Sequence, residues 1–274
     1  MTHSIRGGGN LQLHVREWGN AAGKPILFIH GWSANHLVWK PQYESALKDE
    51  FRLVAFDLRG HGMSDAPLEV ANYSDYRLWA DDVAAIINAL ELDQPTLVGW
   101  SYGAYVINDY IRVYGQSSVR GVTYVGGGVT FDEAAFGTLL GPGFLNHVPG
   151  ATDPDLPTNI EAIRQFLREM VATPMPQDEF ERALAFNMAV RPEVRAGLVA
   201  RRIDSDDLLR EMTVPVLVAQ GKDDRHVLPA MAEHILEVCP TATASWYDGV
   251  AHMPFMEHPE RFNSELAAFA RGTL

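Results

Sequence analysis

The chain has 274 residues, of which 47% are hydrophobic, and its 22 basic and 35 acidic residues give a formal charge of −13. This hydrophobic fraction excludes intrinsic disorder and suits one large domain with room for an insertion. The acidic balance excludes nucleic acid as the main partner, because phosphates bind to basic surfaces. The single cysteine excludes a disulfide within the chain.

The N-terminal stretch MTHSIRGGGN lacks the apolar core of a signal peptide. No stretch reaches the roughly 18 consecutive apolar residues that a membrane-spanning helix needs. We therefore expect a cytoplasmic protein without a membrane span.

Short apolar runs recur along the chain and predict its strands. The first, Leu11–Trp18, alternates apolar and polar residues after Gly9-Asn10, which favours one arm of an antiparallel hairpin. Later runs are almost continuously apolar and end near Gly or Asp, as strands of a buried parallel sheet do. These later runs are Ile26–His30, Leu53–Phe56, Thr96–Val98, Val122–Val125, Val214–Ala219 and the shorter Ser245–Tyr247.

Helical patterns separate many of these runs. Trp79–Leu90 places its large aliphatic residues on one face, and Ala104–Tyr114 stops at Gly115, a typical C-cap. Pro259–Ala270 has its apolar residues in helical phase at the C-terminus. Strands that alternate with helices predict a doubly wound α/β sheet.

The alternation stops between residues 129 and 212, a segment that contains seven prolines. Its helical pieces include Thr158–Val171, which begins with the capping-box pattern Thr158-x-x-Glu161. Further helical pieces are Asp178–Val190, Pro192–Ile203 and Asp206–Met212, and no strand is expected between them. We interpret residues 129–212 as a helical insertion that returns to the sheet at Val214.

A serine lies between two glycines in Gly99-Trp100-Ser101-Tyr102-Gly103, after a predicted strand and before a predicted helix. In that context the pattern G-x-S-x-G is typical of a nucleophile elbow. Glycine at both ends avoids collisions in the sharp turn and leaves the Ser101 hydroxyl exposed at its tip. The start of the following helix offers free N–H groups to a developing negative charge.

A serine nucleophile needs a base, and the base needs an orienting acid. Asp223 and Asp224 follow the Val214–Ala219 run, at the end of a strand where catalytic groups of α/β sheets gather. His252 follows the last run in a loop that contains glycine. The order Ser, Asp, His agrees with the elbow, and the spacing leaves both aspartates open as the acid.

The chain resembles the α/β-hydrolase fold enzymes over nearly its whole length. The matching motifs, in order, are His30-Gly31-Trp32, Asp57–Ser64, Gly99–Gly103 and the loops around Asp224 and His252. It is similar to serine esterases of the non-haem haloperoxidase-like branch in Trp18-Gly19, in the His30-Gly31-Trp32 loop and in its serine elbow. The resemblance implies a mostly parallel eight-stranded sheet flanked by helices, with a core domain of residues 1–128 and 213–274 and a helical cap of residues 129–212.

The resemblance also implies the roles of the site residues. The family acid is usually the third residue after the glycine of the G-x-x-D loop, which indicates Asp224 and leaves Asp223 as the rival. Ser101 is then the nucleophile, His252 the base and Asp224 its orienter.

The oxyanion hole is expected to consist of two backbone N–H groups. One belongs to Tyr102, after the nucleophile, and the other to Trp32, in the loop after the Ile26–His30 run. The Trp32 indole is expected to wall the acyl pocket. The loop reads HGW rather than the HGGG of many lipases, which weakens a lipase interpretation.

The other histidines are expected to have structural roles. His61, together with Asp57, is expected to order a loop near the site, and His226 and His234 are expected at the surface. No motif typical of a metal or nucleotide site occurs, so we expect neither a metal nor a cofactor.

Serine at the elbow argues against epoxide opening and dehalogenation, because related enzymes use aspartate there. We predict a serine carboxylester hydrolase that acts on small or medium acyl substrates through an acyl-enzyme. Lactonase, carbon–carbon bond hydrolase and perhydrolase activities use the same machinery and stay open. A small-molecule receptor with slow or no turnover is the alternative of a different class, and the sequence leaves the oligomeric state open.

Overall fold

The computed structural model describes residues 1–274 and contains an eight-stranded sheet with helices on both faces. Its strands in chain order are β1 Thr2–Arg6, β2 Gln12–Gly19, β3 Pro25–Ile29, β4 Arg52–Phe56, β5 Thr96–Trp100, β6 Gly121–Val125, β7 Thr130–Phe131, β8 Ile203–Asp204, β9 Val216–Gly221 and β10 Ala242–Tyr247. Strands β7 and β8 form a separate two-stranded sheet.

The large sheet has the spatial order β1-β2-β4-β3-β5-β6-β9-β10. Strand β2 pairs antiparallel with β1 and with β4, and every other pair is parallel. Every residue of β3, β5, β6 and β9 is buried, which explains their continuous apolar runs. The predicted hairpin and the mostly parallel eight-stranded sheet are confirmed.

Fourteen helices connect and cover the strands. They are α1 Lys40–Tyr43, α2 Leu47–Glu50, α3 Ala71–Ser74, α4 Tyr76–Ala89, α5 Tyr102–Tyr114, α6 Pro142–Leu145, α7 Val148–Ala151, α8 Leu156–Glu169, α9 Gln177–Met188, α10 Pro192–Val199, α11 Asp206–Arg210, α12 Pro229–Val238, α13 Pro254–Glu257 and α14 Pro259–Arg271. Two short 3₁₀ helices, Gly8–Asn10 and His36–Trp39, complete the set. None of the helices combines the length and the apolar character that crossing a bilayer requires.

The segment between β6 and β9 contains six of the helices, α6 to α11, together with a strand pair that the sequence did not predict. Thr130 pairs with Asp204 and Phe131 with Ile203 in antiparallel register. Each strand has only two residues, too few to show a period of two. The pair joins the beginning of the segment to its end, and Ile203 therefore belongs to a strand rather than to the predicted helix, which ends at Val199.

Helix α8 begins earlier than the capping-box pattern predicted. The Asp155 carboxylate accepts a hydrogen bond from the Thr158 backbone N–H at 3.1 Å, so Asp155 is the N-cap and the helix starts at Leu156. Thr158 is the third helical residue, and its hydroxyl also donates to Asp155. Aspartate is one of the preferred N-cap residues. Pro157 is tolerated in the first turn because the backbone N–H groups there have no partner within the helix.

Candidate active site

Ser101 lies at the junction between β5 and α5 in a strained backbone conformation. Its φ is 53° and its ψ −116°, a region that residues with a Cβ rarely adopt. The turn is too tight for larger neighbours, because a Cβ on Gly103 would lie 2.3 Å from the Ile29 carbonyl oxygen. The close packing of this turn holds Ser101 in its strained conformation at the C-terminal edge of the sheet and at the start of α5.

His252 and Asp224 form a buried hydrogen-bonded pair in the loops after β10 and β9. The distance from His252 Nδ1 to Asp224 Oδ2 is 2.7 Å, and both residues are at least 98% buried. The other carboxylate oxygen accepts the backbone N–H groups of His226 at 2.8 Å and Val227 at 3.1 Å. Asp223, by contrast, is exposed. The structure thus brings Asp224, rather than its neighbour, to the imidazole.

The main chain of His252 is fixed from two sides. Its N–H donates to the Met170 carbonyl at 2.9 Å, which ties the loop to the segment between β6 and β9. Its carbonyl accepts the Trp100 indole N–H at 3.0 Å, which ties it to the residue before the elbow serine. With Nδ1 bonded to the carboxylate, Nε2 is the nitrogen left for proton transfer.

Ser101 and His252 line the same small cavity, of about 20 Å³. Most of the other lining residues are apolar, among them Trp32, Phe144 and Phe166. The Ser101 hydroxyl and His252 do not form a hydrogen bond in this structure; such bonds are often loose before substrate binds. A larger cavity of about 340 Å³ adjoins the first, because Trp100 and Met170 line both.

Two backbone N–H groups beside Ser101 have no acceptor in the protein. They belong to Trp32, after β3, and to Tyr102, the first residue of α5. The Trp32 side chain is buried, its indole N–H faces the Arg195 carbonyl at 3.4 Å, and its ring makes edge contacts with Phe144 and Phe166. The Trp32 ring therefore forms a wall of the small cavity.

A network around Asp57 orders the loop that carries Trp32. One Asp57 oxygen accepts the backbone N–H and the ring N–H of His36, at 2.8 and 2.7 Å, and the other accepts the Met63 N–H at 2.9 Å. His61 accepts the Ser33 N–H at 3.2 Å through Nε2, and burial lowers its pKa to about 3. The loop-ordering role expected for Asp57 and His61 is confirmed.

The same network contains the group of side chains best placed for a metal ion. His14, His36 and Asp57 each offer a ligand atom, and these atoms lie within 4.8 Å of one another. Three N–H groups already occupy the Asp57 carboxylate, so we assign the cluster to loop structure.

The sequence-based placement of His226 at the surface is wrong. The residue is only 1% exposed, and its ring stacks on His252 with 5.0 Å between centroids and 16° between planes. Its position two residues after Asp224 was the available signal, because the loop that binds the carboxylate through the His226 N–H also turns that ring inward. His234 is partly exposed and contacts Asp206 at 2.7 Å.

Comparisons with known proteins show the family and the fold of the chain. A family model described as alpha/beta hydrolase family matches residues 26–265. The crystal structure of an esterase from Rhodococcus sp. ECU1013 superposes with a TM-score of 0.94 and 34% identity, covering 100% of this chain and 99% of that one.

Two curated relatives are similar over most of their length. A non-heme chloroperoxidase of Streptomyces lividans is 28% identical and covers 94% of this chain and 96% of its own. A bifunctional esterase/perhydrolase of Acinetobacter calcoaceticus is also 28% identical, covering 95% and 96%. Fold, elbow and family match therefore lead to one conclusion: the chain belongs to the alpha/beta hydrolase family.

Proposed function

We propose that the protein is a serine hydrolase that cleaves carboxylic esters of small or medium acyl substrates through an acyl-enzyme on Ser101. The observation that carries the proposal is one cavity lined by a strained elbow serine and by a histidine bonded to a buried carboxylate. Serine, histidine and aspartate together favour acyl transfer. The esterase from Rhodococcus supports the same reaction class.

In the first half of the reaction, Ser101 Oγ attacks the ester carbonyl carbon while His252 Nε2 takes the hydroxyl proton. The Asp224 carboxylate holds the ring and stabilises the imidazolium that forms. The tetrahedral intermediate then collapses, the bond to the alcohol oxygen breaks, and His252 returns the proton to the leaving alcohol.

The negative charge on the tetrahedral oxygen is stabilised by the unpaired N–H groups of Trp32 and Tyr102. These groups already lack a protein acceptor, so little reorganisation is required as the charge develops. The N-terminus of α5 adds a favourable dipole at the same point.

In the second half, a water molecule loses its proton to His252 and attacks the acyl carbon. The bond to Ser101 Oγ breaks, the serine recovers its proton, and the carboxylic acid leaves. The adjoining larger cavity gives room for the part of the substrate that the small cavity cannot hold.

We further propose that residues 129–212 act as a cap domain on a core domain of residues 1–128 and 213–274. Phe144, Phe166 and Met170 come from this segment and line the small cavity, which supports a role in limiting substrate size. A cavity of about 20 Å³ favours short acyl groups.

The proposal is tested by steady-state hydrolysis of p-nitrophenyl esters of increasing acyl length, with Ser101→Ala as the matched control. We expect turnover of about 1–10³ per second that peaks at a short acyl chain and disappears in the variant. No turnover on any ester by the folded protein would contradict the esterase assignment and favour a receptor or a different scissile bond.

Perhydrolysis is the second candidate, because a relative similar over 95% of the chain is a bifunctional esterase/perhydrolase. In that reaction hydrogen peroxide, rather than water, attacks the acyl-enzyme and releases a peracid. Peracid formation from acetate esters and peroxide, measured beside hydrolysis, tests it.

A further inference from the structure

The His226 ring is a polar group without a polar partner in the wall of the small cavity. The residue is 1% exposed, and neither ring nitrogen makes a hydrogen bond. The Phe166 backbone makes a small contribution that raises the pKa of the His226 ring, but the two groups do not form a hydrogen bond. Buried polar atoms are nearly always satisfied, and leaving one unpaired is unfavourable. The His226 ring therefore keeps its hydrogen-bonding capacity for a water molecule or a substrate group that enters the cavity.

The ring is held firmly where it lies. The backbone N–H of His226 donates to Asp224. The His226 ring stacks on the His252 ring, and the Phe166 ring contacts it edge-on with 4.9 Å between centroids. A Cβ on Gly143 would come within 2.9 Å of Nδ1, so the chain also packs closely against that edge. The ring cannot turn toward solvent without disturbing the proposed acid and base.

The charge state of the ring determines what it can bind. Burial, with a smaller contribution from His252, lowers the pKa of His226 well below its usual value of 6.5. The imidazole is therefore neutral near pH 7, with one N–H donor and one nitrogen acceptor. Such a ring recognises an uncharged oxygen, and it offers nothing to a saturated hydrocarbon.

We propose that His226 is a specificity-determining residue that selects esters carrying a hydrogen-bonding oxygen, such as an ether, hydroxyl or keto oxygen, a few atoms from the scissile carbonyl. The inference rests on the proposed esterase function and specifies its substrate class. His226 and Ser101 line the same small cavity, so an oxygen bound by the ring belongs to a group close to the scissile bond.

The experiment compares probes that differ by one atom. For the acyl side, p-nitrophenyl methoxyacetate is compared with p-nitrophenyl butyrate; for the alcohol side, 2-methoxyethyl acetate is compared with butyl acetate. In each pair an ether oxygen replaces a CH₂ group. The quantity measured is the ratio of kcat/KM for the ether to kcat/KM for the alkyl ester, and intrinsic reactivity cancels when this ratio is compared between enzymes.

Two variants separate hydrogen bonding from stacking. His226→Phe keeps a flat ring against His252 and removes both nitrogens, whereas His226→Gln keeps a hydrogen-bonding group and removes the ring. We expect the ether-to-alkyl ratio to fall about tenfold in His226→Phe for one of the two probe pairs, either the acyl pair or the alcohol pair. A tenfold change is the effect of one hydrogen bond. His226→Gln should retain part of the preference, although general damage to the site lowers both rates.

The probe pair whose ratio falls shows whether the oxygen bound by His226 belongs to the acyl or to the alcohol portion of the substrate. An unchanged ratio in His226→Phe for both probe pairs, with ester turnover intact in the wild type, would overturn the role of His226 and leave the esterase proposal standing. Absence of turnover on all four probes would overturn both. If circular dichroism shows that His226→Phe does not fold, His226→Leu replaces it as the variant without nitrogens.

Discussion

At the scale of single residues, the two oxygens of Asp224 have separate tasks. Oδ2 binds His252 Nδ1, and Oδ1 is held by the backbone N–H groups of His226 and Val227. Gln220 adds a bond to Oδ2 at 3.2 Å. The carboxylate is thus held in place by the protein alone, which the proposed orienting role requires.

Asp224→Asn should lower kcat on the order of 10⁴-fold, because an amide N–H facing Nδ1 forces the imidazole into the wrong tautomer. The matched control is Asp223→Asn, which changes the same group on an exposed neighbour and should alter kcat by less than about twofold. Kinetics on one p-nitrophenyl ester checks both, and a larger loss in the Asp223 variant would move the acid to that position.

At the scale of elements, Arg195 on α10 connects the Trp32 loop to the segment between β6 and β9. It is fully buried and bonds Ser33 Oγ, Asn159 Oδ1 and the Ala151 carbonyl, each at 2.8 Å. Burial lowers its pKa to about 10, so it stays charged near neutral pH. Carbonyl and hydroxyl oxygens alone bind the guanidinium group. Loss of any of these hydrogen bonds would leave part of a buried charge unpaired and would destabilise the folded state.

Replacing Arg195 with Met should reduce the free energy of unfolding by about 3 kcal/mol or more, because several buried acceptors lose their donor. It should also reduce kcat, since Ser33 directly follows Trp32, whose backbone N–H is proposed to bind the oxyanion. The control is Arg191→Met, an exposed residue one turn away whose ion pair contributes about 0–1 kcal/mol. Chemical denaturation and ester kinetics measure both effects; equal stability of the two variants would refute the connecting role.

The sequence predicted the elements of the core well, because the information there is local. Buried parallel strands read as apolar runs, and α5 ends at Gly115 as its cap signal predicted. The two-residue strands β7 and β8 were missed because pairing over more than 70 residues leaves no periodic trace. Tertiary contacts alone bury Arg195, for which a single sequence gives no direct signal. For His226 the one signal was its position two residues after Asp224.

The triad could be proposed from motif order because each member follows a strand at the same edge of the sheet. The choice of Asp224 over Asp223 came from resemblance, and the hydrogen bond to His252 supports it. The small cavity and its lining by Phe144 and Phe166 could not be predicted, since they depend on how the 129–212 segment packs on the core.

At the scale of the whole molecule, several histidines are buried in the neutral form. Burial lowers the pKa of His30 to about 4 and that of His61 to about 3, and it lowers that of His226 well below 6.5. In the unfolded chain these rings bind protons as the pH falls below about 6.5. Protons therefore favour the unfolded state throughout the range between the folded and unfolded pKa values.

The contribution of these histidines to stability should thus be fully present above pH 6.5 and decline on acidification from pH 6.5 toward pH 4. Each buried neutral histidine adds a slope of about 1.4 kcal/mol per pH unit in that range. Urea denaturation at pH 7, 6 and 5 measures the slope. His61→Gln should make it shallower, whereas His258→Gln, an exposed site, should leave it unchanged. Equal slopes in the wild type and in His61→Gln would contradict the account.

The most direct test of the central claim is covalent capture of the nucleophile. The wild-type protein is incubated with a p-nitrophenyl alkylphosphonate, and the modified residue is located by peptide mass spectrometry. We expect one adduct, on Ser101, and a rate of labelling at least about 10³-fold lower in His252→Ala, because the hydroxyl then lacks its base. Labelling of another residue, or equal labelling of the two proteins, would contradict Ser101 as the activated nucleophile.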